Sequence, residues 1–154
     1  MDKKIRVLFL SKGSASRGLM AEGILRALAG DRFHPSCAGT EAAYASPLAT
    51  EVMREAGIDI SSLQPNGIAA LFRETFYCVI SLCDEPRERY PLFPFTRKLL
   101  RWSVPDPEAA AGGPEASRQS FRQVRDQLRH QVEEFVETMN PKQRLFAGAR
   151  AAAD

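Results

Sequence analysis

The sequence predicts an α/β fold with three layers, in which a four-stranded parallel sheet is flanked by helices. Three observations predict it: short apolar runs alternate with segments of helical periodicity, the first apolar run is continuous, and a long amphipathic helix comes last. A continuous apolar strand is typical of a parallel sheet covered on both faces. Ligands of such sheets bind beyond the carboxyl ends of the strands, so the loops that follow strands are where a site is expected.

Four segments are predicted to be strands, and the clearest of them are short, apolar and rich in β-branched or aromatic residues. They cover residues 5–10, 33–38, 76–82 and 99–104. The third of these is the strongest strand signal, and the fourth is the weakest. Each is followed by a polar or glycine-containing segment, which indicates where the strand ends.

The helices between the strands are predicted from their start and stop signals. Gly30 is expected to end the first helix in a left-handed conformation. Ser46 is expected to cap the second helix, with Pro47 in its first turn and Gly57 at its end. A short third helix is predicted over 65–72.

The last helix shows the clearest amphipathic pattern, with apolar residues three or four apart. They are Phe121, Val124, Leu128, Val132, Phe135, Val136 and Met139. Its arginines are most simply interpreted as part of a solvent-exposed face, on which they are interspersed with acidic residues. The alternative is a surface that binds a partner protein. Asn140 and Pro141 end the helix. We therefore expect one domain over 1–140 and a disordered tail over 141–154.

Composition excludes several classes of function. The 154 residues suit one domain, and 21 basic against 19 acidic residues give a net charge of +2, too small to create a whole-molecule field for nucleic acid or an anionic membrane. We find neither an apolar run of transmembrane length nor a signal-peptide core. The three cysteines are odd in number and irregularly spaced, so we expect no disulfide framework and a cytoplasmic location; they are Cys37, Cys78 and Cys83. They form no zinc-binding motif with the histidines, so we expect no metal site. We also expect no cofactor.

The loop after the first strand is the first candidate site. Small residues let the backbone N–H groups of such a loop converge on one point, and the following helix adds its positive dipole end. Arg17 adds a planar fork that fits two oxygens of an oxyanion. The predicted oxyanion-binding residues are Ser11, Lys12, Gly13, Ser14, Ala15, Ser16 and Arg17. The spacing does not fit a Walker A loop, and a plain strand-to-helix turn is the alternative reading.

The segment 7–23 resembles the phosphate loop of the low-molecular-weight tyrosine phosphatase and arsenate reductase superfamily. Ser11 and Arg17 bracket five residues, and Met-Ala-Glu-Gly follows at 20–23, as in the reductases. The resemblance continues, in order, through residues 36–40, 56–61, 79–84, 102–107 and the final helix, and so covers roughly 4–139. Cys83 stands where the thioredoxin-coupled arsenate reductases place their second redox cysteine. The resemblance implies the phosphatase-like three-layer fold.

The departures from the family pattern lie at the reacting centre. Ser11 stands where the family has its nucleophilic cysteine, and Gly18 where it has the serine that hydrogen-bonds the thiolate. Ser14 occupies the position at which the family has a loop asparagine, and Ser16 occupies the position at which many members have a second loop cysteine. The third redox cysteine would fall near Tyr90 and is missing.

Serine at position 11 changes the chemistry that the loop can support. An anion-binding loop lowers a thiol pKa from about 8.5 to roughly 3.5–7.5, but leaves a serine hydroxyl protonated. A serine nucleophile needs an adjacent base, and the loop contains no histidine. The resemblance therefore implies a protein that keeps phosphate, sulfate or arsenate binding while catalysis is impaired. Its other expected partners are a thioredoxin- or glutaredoxin-type reductant and a phosphorylated protein.

Two residues outside the loop match functional positions of the family. Asp106, between two prolines, matches the general acid of the family. The alternative is an aspartate that only stabilises a turn or a helix start. Cys83 is a candidate redox residue. The alternative is that it serves only as a small apolar residue without a redox role. Cys37 and Cys78 are expected in the core.

Three alternatives to an impaired oxyanion-binding protein stay open. The chain can be an active reductase or phosphatase that uses Cys83 or Asp106. It can also be an engineered cysteine-to-serine form of an active enzyme, although four simultaneous loop changes favour natural divergence. The last alternative is a structural or regulatory interaction module that uses the apolar segment 91–95 or the basic helix.

Overall fold

Strands and helices alternate over residues 5–81, as the sequence predicts. The computed structural model describes residues 4–11, 15–39, 45–71, 74–82, 96–109 and 111–139. Its elements are β1 (Ile5–Ser11), α1 (Ser16–Ala29), β2 (Phe33–Gly39), α2 (Pro47–Glu55), β3 (Asn66–Gly67), α3 (Ile68–Leu71), β4 (Cys78–Ser81), β5 (Lys98–Arg101), a 3-10 turn (Pro107–Ala109) and α4 (Pro114–Thr138). The strands pair in the order β3-β2-β1-β4-β5, all parallel. The α/β prediction with a parallel sheet is confirmed.

The sheet has five strands where the sequence predicts four. In β3, Asn66 and Gly67 pair with Ala38 and Gly39 of β2. Two residues carry no readable period, so this strand leaves no signal in the sequence. The helix predicted over 65–72 is correspondingly shortened to α3, because its first residues join the sheet.

The sheet separates two apolar layers of unequal size. On one face, Val7 and Phe9 of β1 pack in a large cluster with α1, α2 and α4. On the other face, Leu8 and Leu10 pack in a smaller cluster with Leu71 of α3. Successive strand residues point to opposite faces, which is why a continuous apolar run is needed here. The three-layer architecture is confirmed.

The predicted ends of α2 are confirmed. For α1, the predicted end at Gly30 is confirmed, but the predicted left-handed conformation of Gly30 is wrong. Ser46 accepts a hydrogen bond from the Leu48 N–H (3.3 Å), Pro47 occupies the first turn, and Gly57 adopts φ +79° just after the helix. Gly30, by contrast, keeps a right-handed conformation with φ −63° and ψ −15°. A hydrogen-bonded turn leads directly into β2, so no left-handed residue is required.

Helix α4 presents the predicted apolar stripe to the core. The buried side chains are Phe121, Val124, Leu128, Val132, Phe135 and Met139. Val136 is only partly buried against the same cluster. The 3.6-residue period therefore identified the packing face of this helix correctly.

The arginines of α4 do more than cover a solvated face. Arg118 pairs with Glu51 of α2 (3.0 Å), and Arg122 and Arg125 both pair with Glu55 (2.7 and 3.0 Å). Hydrogen bonding from Arg122, reinforced by Arg125, lowers the pKa of Glu55 to about 2. These pairs join α4 to α2 and so help to fix the helix layer beside the sheet.

Several predictions concern residues outside the described ranges. They include loop residues Lys12, Gly13 and Ser14, then Cys83, and the tail over 141–154. The division into a domain and a tail thus stays a prediction. Within the described ranges, we find no helix that is both long and apolar enough to cross a membrane.

Candidate functional site

The carboxyl end of β1 and the start of α1 form the centre of the candidate site. Ser11 is the last residue of β1 and is fully buried. The Gly18 N–H donates to the Ser11 Oγ at 2.8 Å and so joins the strand end to the first turn of α1. Ala15, the residue that precedes α1, provides no side-chain cap to the helix. The start of α1 also carries the positive end of the helix dipole, and a helix start of this kind is a common binding site for an anion.

The bond from Gly18 modifies one sequence prediction. The family pattern places a serine hydroxyl at position 18 as the donor to residue 11, and glycine removes that hydroxyl. The backbone N–H of Gly18 nevertheless donates to residue 11 from the same position in the chain. A side chain at position 11 thus keeps a donor, because a backbone donor is unaffected by the change of side chain.

Arg17 is buried and joins three segments at the carboxyl edge of the sheet. Its Nη1 donates to the Leu82 carbonyl (3.1 Å) just after β4, and to the Val104 carbonyl (2.8 Å) after β5. Its relative exposure is only 5%. The guanidinium is therefore buried and holds the backbone at Leu82 and at Val104, which lies two residues before the predicted site residue Asp106. Sequence analysis predicted Arg17 as a catalytic and oxyanion-binding residue but gave it no structural role, because carbonyl partners this far along the chain leave no local signal.

Ser16 connects the start of α1 to two distant segments. Its Oγ accepts a hydrogen bond from the Ser46 N–H (2.9 Å), at the cap of α2. The same hydroxyl donates to the Glu108 Oε1 at 3.4 Å, a long and correspondingly weak hydrogen bond. Ser16, predicted as an oxyanion-binding residue, thereby also contacts the carboxylate of Glu108 at the beginning of α1.

Asp106 is exposed and takes part in its own turn. Its Oδ1 accepts the Glu108 N–H at 3.0 Å, which caps the 3-10 turn over 107–109. This is the local arrangement that aspartate favours before a turn. The predicted general acid thus lies on the segment that Arg17 positions, with one carboxylate oxygen engaged by backbone.

Gly18 is closely surrounded by the side chains of two neighbouring residues. A Cβ at this position would lie 2.4 Å from the Cys37 Sγ and 2.8 Å from the Ser11 Oγ. Both distances are too short for a carbon atom, so Cys37 fills the space that a side chain at position 18 would occupy. Glycine is required here for close packing rather than for a left-handed backbone.

We expect Gly18→Ser to destabilise the protein by about 1–3 kcal/mol, because an added side chain overpacks a buried site. Gly67→Ser is the matched control, since its Cβ would meet no atom within 4 Å. Urea unfolding of both variants measures the difference. Adding Cys37→Ala to Gly18→Ser should recover part of the loss, and no recovery would contradict the proposed contact.

The two described cysteines lie in the core, as predicted. Burial, followed by the charge of Glu22, raises the pKa of the Cys37 thiol. Burial also raises the pKa of Cys78, to about 12. Both thiols are therefore protonated at neutral pH and unsuited to nucleophilic attack. Cys83 and Tyr90 lie outside the described residues, so the redox prediction for Cys83 stays a prediction.

Comparison with known proteins gives consistent matches. Residues 6–145 match the model of the low molecular weight phosphotyrosine protein phosphatase family. The chain is 34% identical to an arsenate reductase of Bacillus subtilis over 138 residues, which is 90% of this chain and 99% of that protein. It is 36% identical, with the same coverage, to an arsenate reductase of Bacillus licheniformis.

Solved structures agree with these matches. One described as an arsenate reductase in the phosphate binding state superimposes with a TM-score of 0.76 and 28% identity, covering 88% of this chain and 99% of that one. A low molecular weight protein tyrosine phosphatase from T. tengcongensis superimposes with a TM-score of 0.70 at 22% identity, covering 88% of this chain and 100% of that one, and so shows likeness of fold alone.

Proposed function

Because the chain belongs to the low molecular weight phosphotyrosine protein phosphatase family, we propose that it binds tetrahedral oxyanions at the start of α1 and is catalytically impaired. The ligands are phosphate, sulfate or arsenate, either free or, for phosphate, carried by a phosphorylated protein. The observation that carries the proposal is the buried Ser11 hydroxyl at the end of β1, which accepts the Gly18 N–H. The resemblance to the family implies that Ser11 stands at the position of the nucleophile.

The binding half of the proposal is supported by groups that do not depend on sulfur. The amino terminus of α1 supplies a positive dipole end, and its first residues, Ser16 and Arg17, are buried at the edge of the sheet where ligands of parallel sheets bind. A relative of the same fold is described in a phosphate binding state. Lys12, Gly13, Ser14 and Ala15 complete the proposed loop.

The impaired-catalysis half rests on the acidity of the side chain at position 11. A donor from Gly18 and a helix dipole lower the pKa of a thiol into the physiological range. The same influences leave an alcohol protonated, and general-base assistance is then needed. Neither histidine of the chain belongs to the loop: His34 lies in β2 and His130 in α4.

Oxyanion binding is tested directly by thermal unfolding and calorimetry with phosphate, sulfate and arsenate. Ligand at about one hundred times its Kd adds about 2.7 kcal/mol to the free energy of unfolding. For a chain of this length, we expect the Tm to rise by roughly 5–10 °C. Matched concentrations of sodium chloride control for ionic strength. An unchanged Tm with all three anions would refute the binding site.

A working arsenate reductase is the second candidate, favoured by the names of the curated relatives. It would have to use Cys83, with a thioredoxin- or glutaredoxin-type reductant as its partner. We propose to follow arsenate-dependent consumption of such a reductant by the wild type and by Cys83→Ser. If the wild type consumes the reductant above background and Cys83→Ser does not, the protein is an active arsenate reductase and the proposal of impaired catalysis is wrong.

A further inference from the structure

Glu22 is a buried acidic residue on the face of α1 that packs against β2. Gly18, Glu22 and Arg26 follow one another at four-residue intervals, so they share one face of the helix. At one end of this face, Gly18 lies against the Cys37 side chain. At the other end, Arg26 donates to the Pro35 carbonyl of β2 at 3.1 Å. Glu22 lies between these two contacts, and its relative exposure is only 6%.

The two oxygens of Glu22 have different surroundings. Its Oε1 accepts a hydrogen bond from the Arg26 Nη2 at 3.1 Å. Its Oε2 is buried and has no hydrogen-bond partner among the residues that the structure describes. The Arg26 side chain is itself 47% exposed, so water screens the charge with which it offsets a carboxylate. An ionised Glu22 would therefore bury a charge with one oxygen lacking a donor, whereas the neutral acid avoids that cost.

The elements that pack against α1 are β1, β2, α2 and α4. On β2, the Cys37 thiol is subject to the charge of Glu22, which, after burial, raises the pKa of that thiol. The His34 imidazole of β2 is exposed, and its pKa is lowered first by burial and then by the charge of Arg26. No described residue of β1, α2 or α4 forms an ion pair or a hydrogen bond with Glu22. Within the described ranges, Arg26 is thus the one cationic partner of this carboxyl group.

We propose that Glu22 is a pH sensor of the interface between α1 and β2: as a neutral acid it fits the buried interface, and as a carboxylate it destabilises that interface. Burial raises the pKa of Glu22 above its ordinary value, and the hydrogen bond and charge of Arg26 oppose this rise only in part. The same face of α1 carries Gly18, whose N–H donates to Ser11, so the change acts one helical turn from the candidate site. The proposal does not depend on oxyanion binding.

The direction of the pH effect follows from which state of the chain holds the proton. In the unfolded chain, Glu22 titrates near the ordinary glutamate pKa of about 4.3. The folded protein has the higher pKa and still holds the proton above that pH, so stability falls as the pH rises through this range. Below the unfolded pKa both states are protonated and the full stability is present. Each pH unit of the range changes the folding equilibrium about tenfold, which corresponds to roughly 3–5 °C in Tm for a chain of this length.

Thermal unfolding of the wild type, Glu22→Gln and Glu133→Gln from about pH 4 to about pH 8 tests the proposal. Glu22→Gln keeps the shape of the acid and is uncharged at every pH. Its Tm minus that of the wild type should increase with pH by roughly 3–5 °C or more over this range. Glu133→Gln is the matched control, because Glu133 is half-exposed and pairs with Arg129 at the same four-residue spacing. Its Tm relative to the wild type should not increase with pH.

Two results of this experiment would overturn the proposal. A Tm difference for Glu22→Gln that stays constant with pH would show that Glu22 has only a structural role. A difference that decreases with pH would show that the ionised pair with Arg26 stabilises the protein. If Glu22→Gln does not fold, carboxyl-carbon NMR of the wild type decides the question. A glutamate that titrates more than about one pH unit above 4.3 supports the proposal, and the absence of such a glutamate refutes it.

Discussion

If the wild type is catalytically impaired, as we propose, Ser11→Cys is expected to create phosphatase activity. The new thiol would lie at the end of β1, where the Gly18 N–H donates to the side chain of residue 11. This donor and the dipole of α1 should lower its pKa from about 8.5 to within roughly 3.5–7.5. Because removal of an enzymatic nucleophile costs up to about a millionfold in rate, we expect p-nitrophenyl phosphate hydrolysis to rise by roughly a thousandfold or more.

Ser61→Cys is the control for adventitious thiol chemistry, because Ser61 is exposed and lies after α2. The rate of alkylation by iodoacetamide as a function of pH measures the pKa of each new thiol. The double variant Ser11→Cys, Cys37→Ala prevents a disulfide between positions 11 and 37, whose side chains both contact Gly18. If the new thiol has a low pKa and phosphate still binds, but no turnover appears, more than the nucleophile has been lost.

Arg17→Ala is expected to lower the free energy of unfolding by about 2–6 kcal/mol, in addition to weakening oxyanion binding. The wild-type guanidinium donates to the carbonyls of Leu82 and Val104, and it is almost completely buried. Its removal leaves two buried acceptors without this donor, each at a cost of about 1–3 kcal/mol. The segments after β4 and β5 would then lose their common attachment to α1.

Urea unfolding checks this prediction, with Arg129→Ala as the matched control. Arg129 is half-exposed and pairs with Glu133 one turn along α4, so its removal should change stability by less than about 1 kcal/mol. Arg17→Lys should recover only part of the loss, because an ammonium does not reproduce the planar fork of the guanidinium. Equal stability of Arg17→Ala and Arg129→Ala would show that the two carbonyl contacts contribute little.

The candidate site was only partly predictable, and the residues involved explain why. Ser11 and Arg17 were identified because the loop composition and the five-residue spacing are properties of one short segment. The contact of Glu108 with Ser16 joins residues 92 positions apart, so no local pattern could indicate it. The presence of a second carboxylate two residues after Asp106 was the one signal in the sequence that pointed to this contact.

The sequence by itself determined the alternation of strands and helices, the buried face of α4, the cap at Ser46 and the placement of a serine at the end of β1. These features depend on periodicity and on neighbouring residues, which local sequence encodes directly. Only the tertiary structure decided that Arg17 joins the segments after β4 and β5, and that Cys37 occupies the space beside Gly18. Such contacts arise when distant segments pack into one close-packed interior, where shape and burial select the partners and separation along the chain does not.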